Sequence, residues 1–163
     1  MMPPVTSSPI RMPEQGDQAE WLRLRAALWP ECALDAHEVE METLLADADR
    51  AAIFVSPAPG GGLAGFIEVA LRPWAEGCDS SPVGYVEGVY VDPAERGRGV
   101  GEALLRAAEA WAVDRGCREI ASDARLDNAA SLALHRRLGY VEGEVLVHLR
   151  KHLVLPTLAE EPR

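Results

Sequence analysis

The tightest constraint in this sequence is a junction. The apolar stretch YVEGVYV (85–91) ends at Asp92-Pro93, and Arg96-Gly97-Arg98-Gly99-Val100-Gly101 follows before a helical run that reaches about Arg115. The pattern predicts a strand that feeds a helix through an almost bare turn. A helix start leaves about four backbone N–H groups without partners and carries a partial positive charge. With glycine at 97, 99 and 101 no side chain covers those amides, so a phosphate or pyrophosphate can lie against the backbone. Arg96 and Arg98 add charge-assisted donors. No Gly-Lys-Ser/Thr follows, so the turn is not a Walker A loop. The Gly-x-Gly-x-Gly spacing, with no second βαβ half, also sets it apart from the dinucleotide-binding turn. The glycines alone leave two readings open: a phosphate cradle, or a turn that merely lets strand and helix pack.

The rest of the chain supplies elements for that junction to join. PIRM (9–12) has the makings of a short first strand. Asp17 followed by Glu20 predicts a capping box, opening a helix with Trp21, Leu22, Leu24 and Leu28 on its apolar stripe and Pro30 as its stop. Asp35 and Glu38 repeat the pattern for a second helix to about Ala46. AAIFV and GLAGFIEVALR read as strands joined by the hairpin loop SPAPGGG. After a long loop and the strand at 85–91 come a helix over about 98–115, a strand at 118–122, a helix over about 128–138 and a last strand, VLVHLRKHL (145–153). The order β-α-α-β-β-β-α-β-α-β predicts a mixed α/β (α+β) sheet in one domain. At 163 residues the chain is long enough for one such core. Residues 1–9, rich in proline and serine, are expected to be disordered, residues 10–153 to form the domain, and residues 154–163 to be a loose tail.

Charge narrows the partners. The net charge is −10, from 26 acidic and 16 basic residues, which argues against nucleic acid. Between Glu31 and Asp49 stand seven acids (Glu31, Asp35, Glu38, Glu40, Glu42, Asp47, Asp49) and no Lys or Arg. Such a run is either a solvated helix face or an acidic wall that draws in a small cation. No apolar run reaches membrane-spanning length, and the first residues lack the apolar segment of a secretory signal. Cys32, Cys78 and Cys117 form no CxxC pair, which reads as reduced thiols in a cytoplasmic protein and gives no metal site. Two carboxylates stand out. Glu87 sits mid-strand between apolar neighbours, where packing alone favours no charge, unless it lies on the open face of an edge strand. Asp123 ends the strand at 118–122, as a functional group or as a turn residue.

The pattern Arg96-x-x-Gly99-x-Gly101 after VYVDPAE resembles the acyl-CoA pyrophosphate loop of the GNAT acetyltransferase superfamily, and DNAASLALHRRLGYVE (127–142) resembles that superfamily's later helix. LWP (28–30), DAH (35–37), GCDSSPV (77–83), VEGVYV (86–91), GCREIASD (116–123) and HRRLGY (135–140) are similar to the aminoglycoside 6′-N-acetyltransferases within it. The resemblance implies a GNAT-like domain whose mostly antiparallel sheet splays between the strands at 85–91 and 118–122, with helices on its flanks. It implies acetyl transfer from acetyl-CoA to the 6′-amino group of an aminoglycoside, conferring antibiotic resistance. Backbone groups near Val89 and Val91 would bond the pantetheine arm, the amides of Arg96, Gly97, Arg98, Gly99, Val100 and Gly101 would take the pyrophosphate, and Asn128 and Ser131 would bond the arm's other side. Asn128 and Ser131 also fit a plain helix start. Glu87 and Asp123 would hold substrate ammonium groups, and either would relay the reacting amine's proton. Asp79 is a third acidic candidate. Trp29 and Trp74 would flank a sugar ring, or serve as core and loop anchors. His135 stands where many superfamily members carry a proton-donating tyrosine; it is a proton donor to the leaving thiolate, or a packed helix residue with water as the acid. The resemblance also implies a homodimer. Two other readings stay open: acetylation of another cationic amine (a polyamine, a protein lysine or N-terminus), and a non-catalytic module that binds acyl-CoA or a cation.

Overall fold

The computed structural model describes residues 9–156. The expectations for residues 1–8 and 157–163 lie outside the described residues. The elements are α1 (Gln18–Leu28), α2 (Leu34–Ala46), β1 (Ala51–Pro57), β2 (Leu63–Arg72), β3 (Val83–Val91), α3 (Val100–Asp114), β4 (Ile120–Ser122) and α4 (Ala129–Arg137), with single 3₁₀ turns at Gln15–Asp17 and Pro93–Glu95. They build one mixed sheet in the order β1-β2-β3-β4. β1/β2 and β2/β3 are antiparallel, and β4 runs parallel to β3 through the crossover helix α3. The predicted strand PIRM contributes a single bridge, Arg11 with Val55.

Each face of the sheet is covered by helices because the strands alternate their side chains. On one face Trp21, Leu24 and Met41 of α1 and α2 pack on Ile53, Val55 and Phe66. On the other, Val100, Leu104, Leu105, Ala108, Trp111 and Ala112 of α3 pack on Ala52, Ile67, Val69 and Val86. Each fully buried leucine there is worth about 1.5–3 kcal/mol of transfer free energy. α3 lies so close that a Cβ on Gly84 would come within 2.7 Å of the Ala112 Cβ.

Three sequence expectations differ from the fold. Asp17 and Glu20 make no capping box: the Asp17 carboxylate instead accepts from the Glu14 N–H (2.7 Å) and pairs with Arg11 (2.6 Å). Asp35 lies inside the first turn of α2, whose N-cap is Ala33. The strand expected at 145–153 does not form. Residues 141–156 have no regular structure and are all exposed. Strand propensity supplies a pattern, but a ladder needs a neighbour to bond with.

Candidate functional site

β3 and β4 part company early, and the site grows from that gap. Their ladder holds three pairs, Gly84–Ile120, Tyr85–Ala121 and Val86–Ser122, and then β4 ends while β3 continues to Val91. The direction of the freed backbone follows from the ladder on β3's other side. There Asp92 N–H donates to Ala64 C=O at 2.7 Å, and the register pairs Tyr90 with Phe66, and Val89 and Val91 with Ile67 and Gly65. Antiparallel pairs alternate between bonded and non-bonded. Asp92–Ala64 and Tyr90–Phe66 are therefore bonded pairs, and the backbone groups of Val89 and Val91 turn away from β2 into the gap. The Val91 carbonyl accepts from Arg96 Nε at 3.0 Å, on that outer side.

At the C-terminal end of β3 the turn is as bare as its sequence. Gly97 and Gly99 sit at φ 78° and 80°, the left-handed region that favours glycine. A Cβ at either would meet no atom within 4 Å, so the space above them is open to a ligand. The first α3 bond is Ala103 N–H to Gly99 C=O (3.0 Å), which leaves the amides of Val100, Gly101 and Glu102 outside the helix ladder. The two arginines have local partners: Arg98 pairs with Glu95 (3.0 Å), and Arg96 lies 5.4 Å from the Tyr90 ring centroid besides bonding Val91. The Val100 side chain is core, so only its amide belongs to the turn. Gly101 faces Leu134 of α4, 3.0 Å from where its Cβ would be.

Beside the gap, one face of the sheet gathers charge. Gly88 pairs with Glu68 and Val86 with Val69, so Glu87 falls in a bulge, a device that re-aims a side chain next to active sites. Arg72 on the neighbouring β2 grips Glu87 with both ends of its fork, Nε to Oε1 at 2.9 Å and Nη2 to Oε2 at 2.7 Å. The same guanidinium lies 3.5 Å from the centroid of the Tyr85 ring, whose hydroxyl donates to Asp123 Oδ1 at 3.0 Å. Burial and the Asp123 carboxylate push the Tyr85 hydroxyl up to about 12. Glu87 and Asp123 thus belong to one connected cluster. Trp29, which ends α1, covers the same stretch of β3: a Cβ on Gly88 would fall 2.5 Å from its ring. Asp79 is held elsewhere. Its amide and that of Ser80 donate to Glu119 Oε1 at 2.9 and 2.7 Å, tying the 73–82 loop to the entry of β4, about 13 Å of strand from Asp123. No described hydrogen bond joins the Asp79 carboxylate to Glu87 or Asp123. Trp74, in that loop, is largely exposed.

α4 is tied to the end of β4 and to the start of α3, and its predicted residues are engaged in holding it. Asn128 is the N-cap, accepting from Ser131 N–H at 3.1 Å, which leaves its amide NH₂ for another partner. His135 is buried. Its Nδ1 lies 2.7 Å from the Ser131 carbonyl, which can only accept, so Nδ1 donates there. Nε2 is 3.0 Å from Ser122 Oγ and accepts from it. In this arrangement His135 links α4 to the last residue of β4 and offers no proton to the gap. The Ser131 hydroxyl is 3.3 Å from the same imidazole.

Behind Trp29 runs a buried polar network that the sequence reading missed. Arg25 and Glu68, each 2% exposed, pair at 2.6 Å, and Trp21 Nε1 donates to the same Glu68 oxygen at 3.0 Å. Arg25 also pairs with Glu40 of the acidic run and donates from Nε to His37 Nδ1 (3.3 Å), while His37 Nε2 donates to the Trp29 carbonyl (3.2 Å). Burial pushes the Glu68 carboxyl up to about 7, against the pull of Arg25. Arg25 lies one turn from both Trp21 and Leu28 on the apolar stripe of α1; a base at that spacing was the available signal. Arg72 and Tyr85 were likewise missed, though Arg72 follows Glu68 and Ala70 at period two. Among the described residues, no group of three or more His, Cys, Asp or Glu side chains could hold a metal ion, and no helix is long and apolar enough to cross a membrane.

Comparison with known proteins gives the arrangement a context. The family model for the acetyltransferase (GNAT) family matches residues 19–140. The chain is 43% identical over 150 residues to an aminoglycoside N(6′)-acetyltransferase type 1 of Klebsiella aerogenes, covering 90% of this chain and 99% of that one. It is 44% identical over 151 residues to its namesake from Stenotrophomonas maltophilia, covering 91% and 97%. Among solved structures it is similar to AAC(6′)-Iy in complex with the bisubstrate analogue CoA-S-monomethyl-acetylneamine, with a TM-score of 0.81 and 39% identity over 88% of this chain and 97% of that one. The apo 6′-N-acetyltransferase AAC(6′)-IG of Acinetobacter haemolyticus matches with a TM-score of 0.79 and 38% identity, covering 88% and 98%.

Proposed function

Because the chain belongs to the GNAT acetyltransferase family, we propose that it transfers the acetyl group of acetyl-CoA to the 6′-amino group of an aminoglycoside, so conferring resistance to that antibiotic. The observation that carries this reading is the juxtaposition on β3. Its freed backbone at Val89 and Val91 leads to the open glycine turn at one end, and the bulged Glu87 lies beside it with Tyr85 and Asp123.

The open space over Gly97 and Gly99 fits a pyrophosphate, which the amides of Arg96 through Gly101 would bond, with Arg96 and Arg98 turning to it from their present partners. Val89 and Val91 would hold the pantetheine amides as a strand would. Bound acetyl-CoA supplies an acetyl thioester. The Val89 N–H would steady the negative charge that grows on its carbonyl oxygen as the amine attacks. A primary amine is mostly protonated at neutral pH, so Glu87 or Asp123, directly or through a water, would take its proton while the other holds neighbouring ammonium groups. Trp29 would supply a flat wall for a sugar ring over Gly88. Asp79, tied to Glu119, would meet only a far arm of the substrate. Asn128 would reach the pantetheine through its free NH₂, and Ser131 through its hydroxyl. Since His135 donates to Ser131 and accepts from Ser122, water is the simpler source of the proton for the departing thiolate, and His135 serves as acid only after turning its Nε2 into a donor.

We also propose that residues 10–153 are the working unit, acting in the cytoplasm, and that two copies associate. The support for association is the segment 141–156. Val141, Val147, Leu149 and Val154 are 81–97% exposed, on a stretch with strand composition that joins no sheet among the described residues. Sedimentation of the chain ended after Glu142 should give monomer if that segment joins the copies.

Thiol release from acetyl-CoA, followed across a panel of aminoglycosides, polyamines and lysine peptides, tests the central reading. Release with aminoglycosides alone is expected. Release only with the other amines would move the substrate class, and acetyl-CoA binding without release would make the chain a binding module.

A further inference from the structure

The carboxylates that would receive the substrate's cation already hold one. Arg72 binds both oxygens of Glu87 and stacks 3.5 Å from the Tyr85 centroid, and the Tyr85 hydroxyl binds Asp123. Residues of β2, β3 and the end of β4 thereby place a positive charge between an aromatic face and a carboxylate, with a second carboxylate at the ring's far end. That is the chemistry an ammonium-binding subsite needs. We propose that the Arg72 guanidinium is a built-in stand-in for a substrate ammonium: it fills the acceptor subsite in the free protein, must release Glu87 when a polycationic substrate arrives, and so sets how much positive charge a substrate needs to bind. The proposal rests on the acetyltransferase reading for the identity of the substrate.

The exchange is physically easy. The Arg72 side chain is 43% exposed and Glu87 31%, so the guanidinium can swing into water on its flexible stem, where it is well solvated. The pair is part-buried and bidentate, so it holds more firmly than a single-point surface pair, and it is a lock that several substrate ammonium groups open together. A cation that left Arg72 in place would meet its like charge, a penalty that grows as water leaves the site.

Two measurements test this. In steady-state acetylation, Arg72→Gln should lower the KM for neamine about threefold, the scale of one ion pair near the surface, with the acetyl-CoA KM within about twofold. Arg106→Gln, which removes an exposed arginine on α3, should leave the neamine KM unchanged and so controls for total charge. Adding Glu87→Gln should abolish the gain from Arg72→Gln. A neamine KM that rises in Arg72→Gln, or one that falls equally in Arg106→Gln, overturns the proposal. The second measurement needs no turnover: the Arg72 Nε–H resonance should be protected from solvent exchange in the free protein and lose that protection as neamine is added. A resonance that stays protected, or no response to neamine, also overturns it. If no aminoglycoside releases thiol, the acetyltransferase reading fails, and the resonance still reports on Arg72. If thiol is released while both Arg72 readouts stand still, only this proposal falls.

Discussion

At the scale of single residues, the site is a set of charges whose neighbours decide their work. Among the described residues, Asp123 accepts from one donor, the Tyr85 hydroxyl. Asp123→Asn keeps the shape and removes the charge, so a residue that only binds cations should show a raised aminoglycoside KM at unchanged kcat. A residue that also takes the proton should lose kcat by about 10²-fold, recovering as pH rises and the amine deprotonates without help. Wild-type kinetics from pH 6 to about 9, a span chosen around the usual optimum of acid–base chemistry, would remove Asp123 from the site. Glu68 has a different signature. Its carboxyl is pushed up to about 7 by burial, from an ordinary value near 4.5, so the folded protein holds that proton more tightly than the unfolded chain. The resulting stabilisation is complete below about pH 4.5 and is lost as pH rises through about 7. The Tm of wild type minus that of Glu68→Gln should therefore fall across that window and be flat on either side. A difference that grows with pH would mean that the Arg25 pairing outweighs burial. The spacing of Arg25 on the apolar stripe of α1 hinted at its burial, but its pairing with Glu68 was not legible in the sequence, because a buried Arg–Glu pair is written in the same letters as a surface one and only the fold removes the water.

At the scale of elements, the β3–turn–α3 junction was legible because everything that makes it is local: alternating apolar residues, glycines at left-handed positions, and a long amphipathic helix after them. Gly99 is the part of it most open to test. At φ 80° a Cβ is strained even though it meets no neighbour. Gly99→Ala should cost about 1 kcal/mol or more in unfolding free energy and raise the acetyl-CoA KM, with the aminoglycoside KM unmoved. An alanine variant with unchanged acetyl-CoA KM would take the pyrophosphate off the turn. The strand expected at 145–153 shows the opposite case. Val145, Val147 and Leu149 alternate as a strand should, but pairing is a property of two segments and no single stretch encodes its partner. The bulge at Glu87 was illegible for the same reason, since it exists only in the register between β2 and β3.

At the scale of the whole molecule, the parting of β3 from β4 leaves a central strand with a backbone ladder on one side only over its last residues. A ligand seated there completes the sheet. Coenzyme A at 100 times its Kd should add about 2.7 kcal/mol of stability, seen as a rise in Tm, and a Tm indifferent to coenzyme A would mean that the gap is not its seat. The geometry also divides one strand into two clocks. In deuterium exchange on the free protein, the Tyr90 amide, bonded to β2, should last as long as the core, while the amides of Val89 and Val91 on either side of it should be lost early. With coenzyme A bound the alternation should vanish, and a single stretch of three residues would then report, by time alone, whether the site is filled.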